Sequence, residues 1–175
     1  LSVGRNKWVK GLHIALSAIK ELCDVGININ YTIITQDATS EEILYQIDDL
    51  KLDGRVFFET YSDQNKVFHS MSESDCLLLP SLSEGIANVA LEAMFVQLPV
   101  ISSDCGGMME LIKHGYNGLL FKNRDHTSLI NVLNKFLKLS INEKKLIVMN
   151  AKNTVVKNNN IENVGKKLDI FYQNC

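Results

Sequence analysis

Two carboxylates eight positions apart, Glu84 and Glu92, stand in the segment Pro80-Ser81-Leu82-Ser83-Glu84-Gly85-Ile86-Ala87-Asn88-Val89-Ala90-Leu91-Glu92-Ala93-Met94. An ionised carboxylate accepts hydrogen bonds and donates none, so such a pair suits a ligand with hydroxyl donors at both ends. Read as helix, the interval of eight residues at ~1.5 Å each sets the two ~12 Å apart. That is the reach from a sugar ring across a pyrophosphate to a ribose. Gly85 allows close backbone approach, and free amides over Ile86 to Val89 would face the phosphates. The alternative is a helix-start acid at Glu84 and a surface acid at Glu92. For Glu92 it is the weaker one, because Leu91, Ala93 and Met94 are core-type neighbours.

A second segment, Gly4-Arg5-Asn6-Lys7-Trp8-Val9-Lys10-Gly11, puts Arg5 at a strand exit and Lys10 at a helix start. Arg as a fork and Lys as a point charge, beside free amides, can hold a diphosphate. On their own the two also read as solvated loop cations, and Lys7 reads only that way. A third segment, Ser103-Asp104-Cys105-Gly106-Gly107-Met108-Met109-Glu110, offers paired glycines before a helix. It fits either an anion or hydroxyl site or a tight connection with Glu110 as helix-start acid. Gly115-Tyr116-Asn117-Gly118 reads as a plain turn.

Other chemistries find no support. Neither GxGxxG nor GxxxxGK[ST] occurs, which disfavours a standard dinucleotide domain and a Walker-type NTPase. No metal is expected: there is no DxD beside a strand and no His/carboxylate cluster, and Asp48-Asp49 lies on a solvated helix face. His13, His69, His114 and His126 show no partner spacing and read as isolated surface residues. Cys23, Cys76, Cys105 and Cys175 show no CxxC, so reduced cysteines of a cytosolic protein are expected.

The positioning elements follow from periodicity. Strands are expected at Leu1–Val3, Tyr31–Thr35, Val56–Phe58, Cys76–Leu79, Pro99–Ser102 and Gly118–Phe121. Helical spacing runs from Leu12 to Cys23, with Gly26 ending the helix. A capping box at Thr39–Glu42 opens the next helix, and further helices fall at Gln64–Met71, Ile86–Val96, Met108–Lys113, Thr127–Leu139, Glu143–Val156 and Ile161–Gln173. This alternation predicts an α/β fold: a Rossmann-like, doubly wound parallel sheet of about six strands with helices on both faces. Ligands then bind at the carboxyl ends of the strands, in the loops Gly4–Gly11, Thr60–Ser62, Ser81–Ala87 and Ser103–Gly107. The 175 residues suit one domain, and 18 basic against 20 acidic residues, a net charge of −2, argue against a general nucleic-acid binder. No run approaches the ~20 apolar residues of a membrane span. The opening Leu1-Ser2-Val3-Gly4 lacks a signal peptide and reads as a cut at a strand edge, hence a piece of a longer protein.

Taken in order, Gly-Arg…Lys-Gly, Pro-Ser-x-x-Glu-Gly, Glu-x7-Glu, Pro-Val-Ile, Asp-x-Gly-Gly-x-x-Glu and Gly-x-Asn-Gly-Leu-Leu resemble one family. It is the carboxyl-terminal, donor-binding domain of GT-B retaining glycosyltransferases, glycosyltransferase family 4 (group 1). The resemblance implies that residues 1–175 bind a nucleotide sugar, UDP- or GDP-linked, and that an amino-terminal acceptor domain is missing. It implies hexosyl transfer to a glycan or lipid-linked acceptor, as in polysaccharide biosynthesis, without metal or other cofactor. Arg5, Lys10 and Glu84 take the catalytic positions. Gly4, Thr60, Gly85, Ile86, Ala87, Asn88, Val89, Glu92, Gly106 and Gly107 line the donor. Glu92 takes the ribose hydroxyls, Phe58-Glu59-Thr60 borders the base, and Glu110 is the structural partner of the glycine loop. Thr60 and Gln97 stand where the family often has Gly, and Ala87 where it often has Pro or a bulkier residue. A lone half should bind donor weakly and lack turnover. A cytoplasmic site is implied, with membrane association left to the missing half. Rival readings are a GT-B-fold nucleotide-sugar epimerase and a non-catalytic nucleotide-sugar-binding module.

Overall fold

A computed structural model of the chain describes residues 1–60 and 63–158. The expected helix at Ile161–Gln173, loop residue Ser62 and Cys175 lie outside the described residues. Six parallel strands form: β1 Ser2–Val3, β2 Tyr31–Ile34, β3 Val56–Glu59, β4 Leu77–Leu79, β5 Val100–Ser103 and β6 Leu119–Phe121. Among the described residues seven helices join or follow them: α1 Leu12–Asp24, α2 Glu41–Asp49, α3 Gln64–Ser72, α4 Asn88–Phe95, α5 Met108–Leu111, α6 His126–Lys138 and α7 Ile141–Asn158.

The strands form two three-stranded sheets, β1-β2-β3 and β4-β5-β6, rather than one ladder of six. β1 is two residues long, and its seam with β4 is held through Leu1, whose amino group donates to the Cys76 carbonyl at 3.1 Å and whose carbonyl accepts from the Leu78 amide at 2.8 Å. Buried Ser2 reinforces that seam: its hydroxyl donates to the Leu78 carbonyl and meets the Tyr31 hydroxyl at 2.7 Å. Across the molecule the order is therefore β3-β2-β1-β4-β5-β6, the doubly wound order with its switch between β1 and β4.

Two apolar layers cover the strands. Leu16, Ile19, Leu22, Leu129 and Phe136 pack with Ile33, Leu78 and Ile101 on one face. Ala90, Met94, Met108 and Ala151 pack with Ile34, Leu77 and Leu79 on the other. The run Leu77-Leu78-Leu79 is thus buried on both faces, as a continuous apolar strand demands.

Several ends differ from the periodicity. Thr39–Glu42 forms no capping box: α2 starts after Ser40, which makes no side-chain cap bond. The reciprocal box forms at α7 instead, where the Ser140 amide donates to Glu143 Oε2 at 2.8 Å and the Glu143 amide returns to Ser140 Oγ at 3.3 Å. The Ser140 hydroxyl, which also donates to Glu143 Oε2 at 2.7 Å, and then the Ser140 amide hold the Glu143 carboxyl below its ordinary pKa. α4 covers two residues fewer at its start than the apolar spacing suggests, because Ile86 and Ala87 belong to the preceding loop. Gln97, at φ +65°, takes the left-handed position after that helix where glycine is easier.

Asn117 does more than turn the chain. It is 1 % exposed, accepts from the Lys113 amide at 2.7 Å, and donates to the Leu111 carbonyl and Thr154 Oγ1 at 3.1 and 3.2 Å. It ties α5, β6 and α7 together. Asn117→Ala leaves buried donors and acceptors unmet, each worth ~1–3 kcal/mol. Thermal unfolding is expected to shift down by roughly 5 °C or more, and an unchanged midpoint would refute this role.

Candidate functional site

The parallel strands bring their carboxyl ends to one edge, and the loops leaving β1, β4, β5 and β6 interlock there. After β1, Gly4 donates its amide to Ile34 O at 3.0 Å, and the chain enters a single 3-10 turn, Trp8–Lys10. Gly11 ends that turn at φ +64° and starts α1. A Cβ on it would lie 2.0 Å from the Pro80 carbonyl oxygen, so only glycine lets the two loops touch. The Leu82 amide then donates to Val9 O at 2.7 Å. These contacts aim Lys10 at the loop after β4, where Lys10 Nζ meets Glu84 Oε2 at 2.6 Å. Ser81 Oγ donates to the same oxygen at 3.1 Å.

The loop after β5 supports Glu84 from below. Gly106 sits at φ +48°, and a Cβ on it would lie 2.0 Å from the Glu84 carbonyl oxygen. The Gly107 amide donates to that same oxygen at 3.3 Å, and a Cβ on Gly107 would come within 2.9 Å of the Gly85 backbone. Ser103 Oγ donates to Ser81 O. From the loop after β6, Asn123 Nδ2 donates to Leu82 O at 2.8 Å and the Asn123 amide to Asp104 Oδ1 at 2.7 Å.

Most of the expected site residues therefore converge. Gly4 lies against the Lys10 side chain, with its hypothetical Cβ 3.4 Å from Lys10 Cε. Lys10 and Glu84 are half-buried, and Gly85, Ile86 and Asn88 are exposed on the rim. Gly106 and Gly107 pack beneath Glu84, Gly85 and Ile86. Arg5 borders the same depression as Gly4, Lys10 and Ser81, with an exposed side chain. Ala87 is the buried N-cap residue of α4 and supplies no side-chain bond. The Ala90 and Leu91 amides already donate to Ala87 O, so those of Asn88 and Val89 precede the first intrahelical bond. Glu110 extends exposed from α5, and its amide donates to Gly107 O at 3.1 Å.

Two placements differ from the sequence reading. Glu92 is the fifth residue of α4 and half-buried, but residues 84–87 are not helical. The helical ruler between Glu84 and Glu92 therefore does not hold, and the carboxylates are related by a loop plus one turn. Thr60 stands exposed just past the outer strand β3, with β2 between it and β1. It shares the edge and lies two strand spacings, roughly 10 Å, from Gly4. The sequence reading gave no role to Ser81, Ser103 or Asn123. Ser81 was open to detection, since Ser-x-x-Glu is the spacing of a local side-chain bond. Ser103 and Asn123 act only through loops far away in sequence.

The histidines find partners, some at helical spacing and some not: the Leu120 amide donates to His114 Nδ1 at 3.0 Å. His13 stacks on Trp8, and burial lowers its pKa. His126 lies 3.0 Å from Glu21 and His69 3.6 Å from Glu73. Asp48 and Asp49 are exposed, as expected. Cys23, Cys76 and Cys105 are free thiols. Among the described residues no three His, Cys, Asp or Glu side chains cluster as a metal site requires, and no helix is long and apolar enough to cross a membrane.

A doubly wound parallel fold, with a cation and an acid joined over glycines at its switch point, is a Rossmann-like half of GT-B type. Solved structures agree with that fold. The chain superposes with a TM-score of 0.85 on HepE of Anabaena in complex with UDP, at 24 % identity, covering 99 % of this chain and 48 % of that one. It superposes at 0.78 on the C-terminal domain of the glycosyl transferase group 1 family protein LpcC of Francisella tularensis, at 20 % identity, covering 91 % of this chain and 85 % of that one. The family profile of glycosyl transferases group 1 matches residues 1–154. The chain belongs to that family. It is 35 % identical over 153 residues, 84 % of its length, to the amylovoran biosynthesis glycosyltransferase AmsK of Erwinia amylovora. It is 26 % identical over 179 residues to WcaL of Salmonella typhimurium, a putative colanic acid biosynthesis glycosyltransferase. The chain spans 37 % and 44 % of those two proteins.

Proposed function

We propose that this chain is the donor-binding half of a retaining, metal-independent hexosyltransferase of GT-B type. It takes a UDP- or GDP-linked sugar and serves a glycan or lipid-linked acceptor bound by a second, amino-terminal half. The observation that carries this reading is the Lys10–Glu84 pair at 2.6 Å, held over Gly106 and Gly107. One ligand must satisfy both members: an anion for the ammonium and hydroxyl donors for the carboxylate. A sugar diphosphate has both. The naming of AmsK and WcaL as polysaccharide-biosynthesis glycosyltransferases supports the same class of reaction.

The chemistry follows from charge. The bond from the anomeric carbon to the diphosphate oxygen breaks with its electron pair going to the oxygen. Negative charge then grows beside Lys10 and Arg5, while positive charge grows on the sugar beside Glu84. Fixed donors where charge develops contribute several kcal/mol in such sites, typically ~3–4 per donor. The exposed amides at the start of α4 add a positive end to the same rim. Glu92, one turn into α4, takes the ribose hydroxyls.

Calorimetry of the chain with UDP, GDP and their hexose derivatives tests this. One base series is expected to give saturable heat, and Glu92→Ala is expected to weaken nucleotide and free nucleoside alike, by roughly 10-fold. No heat with any of them overturns the donor reading. Sugar transfer by the chain alone overturns the half-enzyme reading.

A further inference from the structure

Trp8 is the single tryptophan of the chain and is 71 % exposed. One face of its indole lies flat on His13, with ring centroids 3.9 Å apart and planes 6° apart. His13 is half-buried, and burial lowers its pKa, so at neutral pH it is an uncharged backing for the indole. The pair borders a cavity of about 340 Å³ whose other walls include Ser17, Leu82, Arg124 and His126. That volume falls within the ~300–1,000 Å³ of small-ligand sites.

Arg124 sits at φ +62°, a left-handed conformation that a residue without a short polar side chain rarely takes. Its guanidinium is exposed and forms no ion pair among the described residues, whereas neighbouring His126 is engaged by Glu21 at 3.0 Å. Asn123 locks this loop onto Leu82 and Asp104. Trp8 precedes Lys10 by two residues in one turn, and Leu82 precedes Glu84 by two. The cavity therefore adjoins the Lys10–Glu84 pair through both loops that hold it.

We propose that this cavity is a binding subsite for an acidic glycan, with a pyranose ring against Trp8 and its carboxylate on Arg124. A flat π surface matches the apolar C–H face of a pyranose. One unpaired guanidinium matches the single charge and two oxygens of a carboxylate. Within the proposed transferase this glycan is the acceptor, so that role rests on the donor reading; the binding itself does not.

Trp8 is its own probe. Titration of the 175-residue chain with a hyaluronan tetrasaccharide is expected to shift tryptophan emission saturably below ~10 mM, where millimolar ligands fill their sites. The carboxyl-reduced tetrasaccharide is expected to bind at least ~10-fold more weakly. Arg124→Asn keeps a residue that tolerates the left-handed backbone and removes the charge. It is expected to weaken the acidic tetrasaccharide ~10-fold, with no effect on UDP binding by calorimetry. No emission change with either oligosaccharide overturns the subsite, as does equal binding of the two or full binding by Arg124→Asn. Failure of the donor reading looks different: UDP gives no heat while the acidic tetrasaccharide still moves Trp8 emission.

Discussion

Gly106→Ala is expected to eliminate measurable nucleotide-sugar binding and to lower thermal stability. Two costs combine at this position. A non-glycine residue at φ +48° loses about 1–2 kcal/mol to its own backbone. The new Cβ also falls 2.0 Å from the Glu84 carbonyl oxygen, which is backbone and cannot swing aside. Either the loop after β5 withdraws or the loop after β4 lifts, and both carry Glu84 away from Lys10. A total of about 2–4 kcal/mol lowers Tm by roughly 5–15 °C in a domain of this size. Gly115→Ala is the control. Gly115 is also left-handed, at φ +78°, but has nothing within 4 Å of its hypothetical Cβ. It carries the backbone cost alone, so its Tm loss should be about half or less and its donor binding intact. Equal losses in the two variants would show that the Gly106–Glu84 contact has no role.

That contact also marks where sequence reading stops. All six strands are legible because each is an apolar or β-branched run bounded by Gly, Pro or polar clusters, and their parallel alternation with helices admits few topologies. Lys10 and Glu84 are legible as candidates because charge beside glycine in a strand-exit loop is unusual in a chain with ordinary composition. Their direct pairing is not, since it depends on Gly11 meeting Pro80 and Gly106 meeting Glu84 across 69 and 22 positions. The Glu84–Glu92 ruler fails for a related reason. Apolar periodicity extends back to Ile86, but Ile86 and Ala87 serve the loop, one exposed on the rim and the other buried as the cap of α4. The split into two sheets is likewise invisible, because the length of β1 is set by how soon Gly4, at φ +154°, leaves the ladder. The stacking of Trp8 on His13 is not legible either, because a stack five residues apart, bridging a 3-10 turn and a helix start, follows no single period.

Lys10→Ala is expected to weaken UDP binding by roughly 10-fold or more and to leave uridine binding unchanged, because in the proposed donor site the ammonium answers to the diphosphate and not to the nucleoside. In the proposed two-domain transferase the transfer rate should fall about 10²–10³-fold, the usual effect of removing one donor from a site of developing negative charge. Stability should barely move. The Lys10 and Glu84 side chains are 27 % and 22 % exposed, so the freed carboxylate keeps contact with water and with Ser81. Lys10→Arg separates charge from shape. Its fork keeps the charge but cannot occupy the narrow space between Gly4 and Glu84 that the lysine stem fills, 3.4 Å from the hypothetical Gly4 Cβ. Arg at this position should therefore restore part of the UDP affinity and little of the rate. Glu92→Ala is expected to behave in the opposite sense, weakening uridine and UDP together. The pair of variants thus assigns the two ends of one ligand to two ends of one groove. Equal losses of UDP and uridine in Lys10→Ala would place the nucleoside, rather than the diphosphate, beside the ammonium and reverse the orientation of the donor.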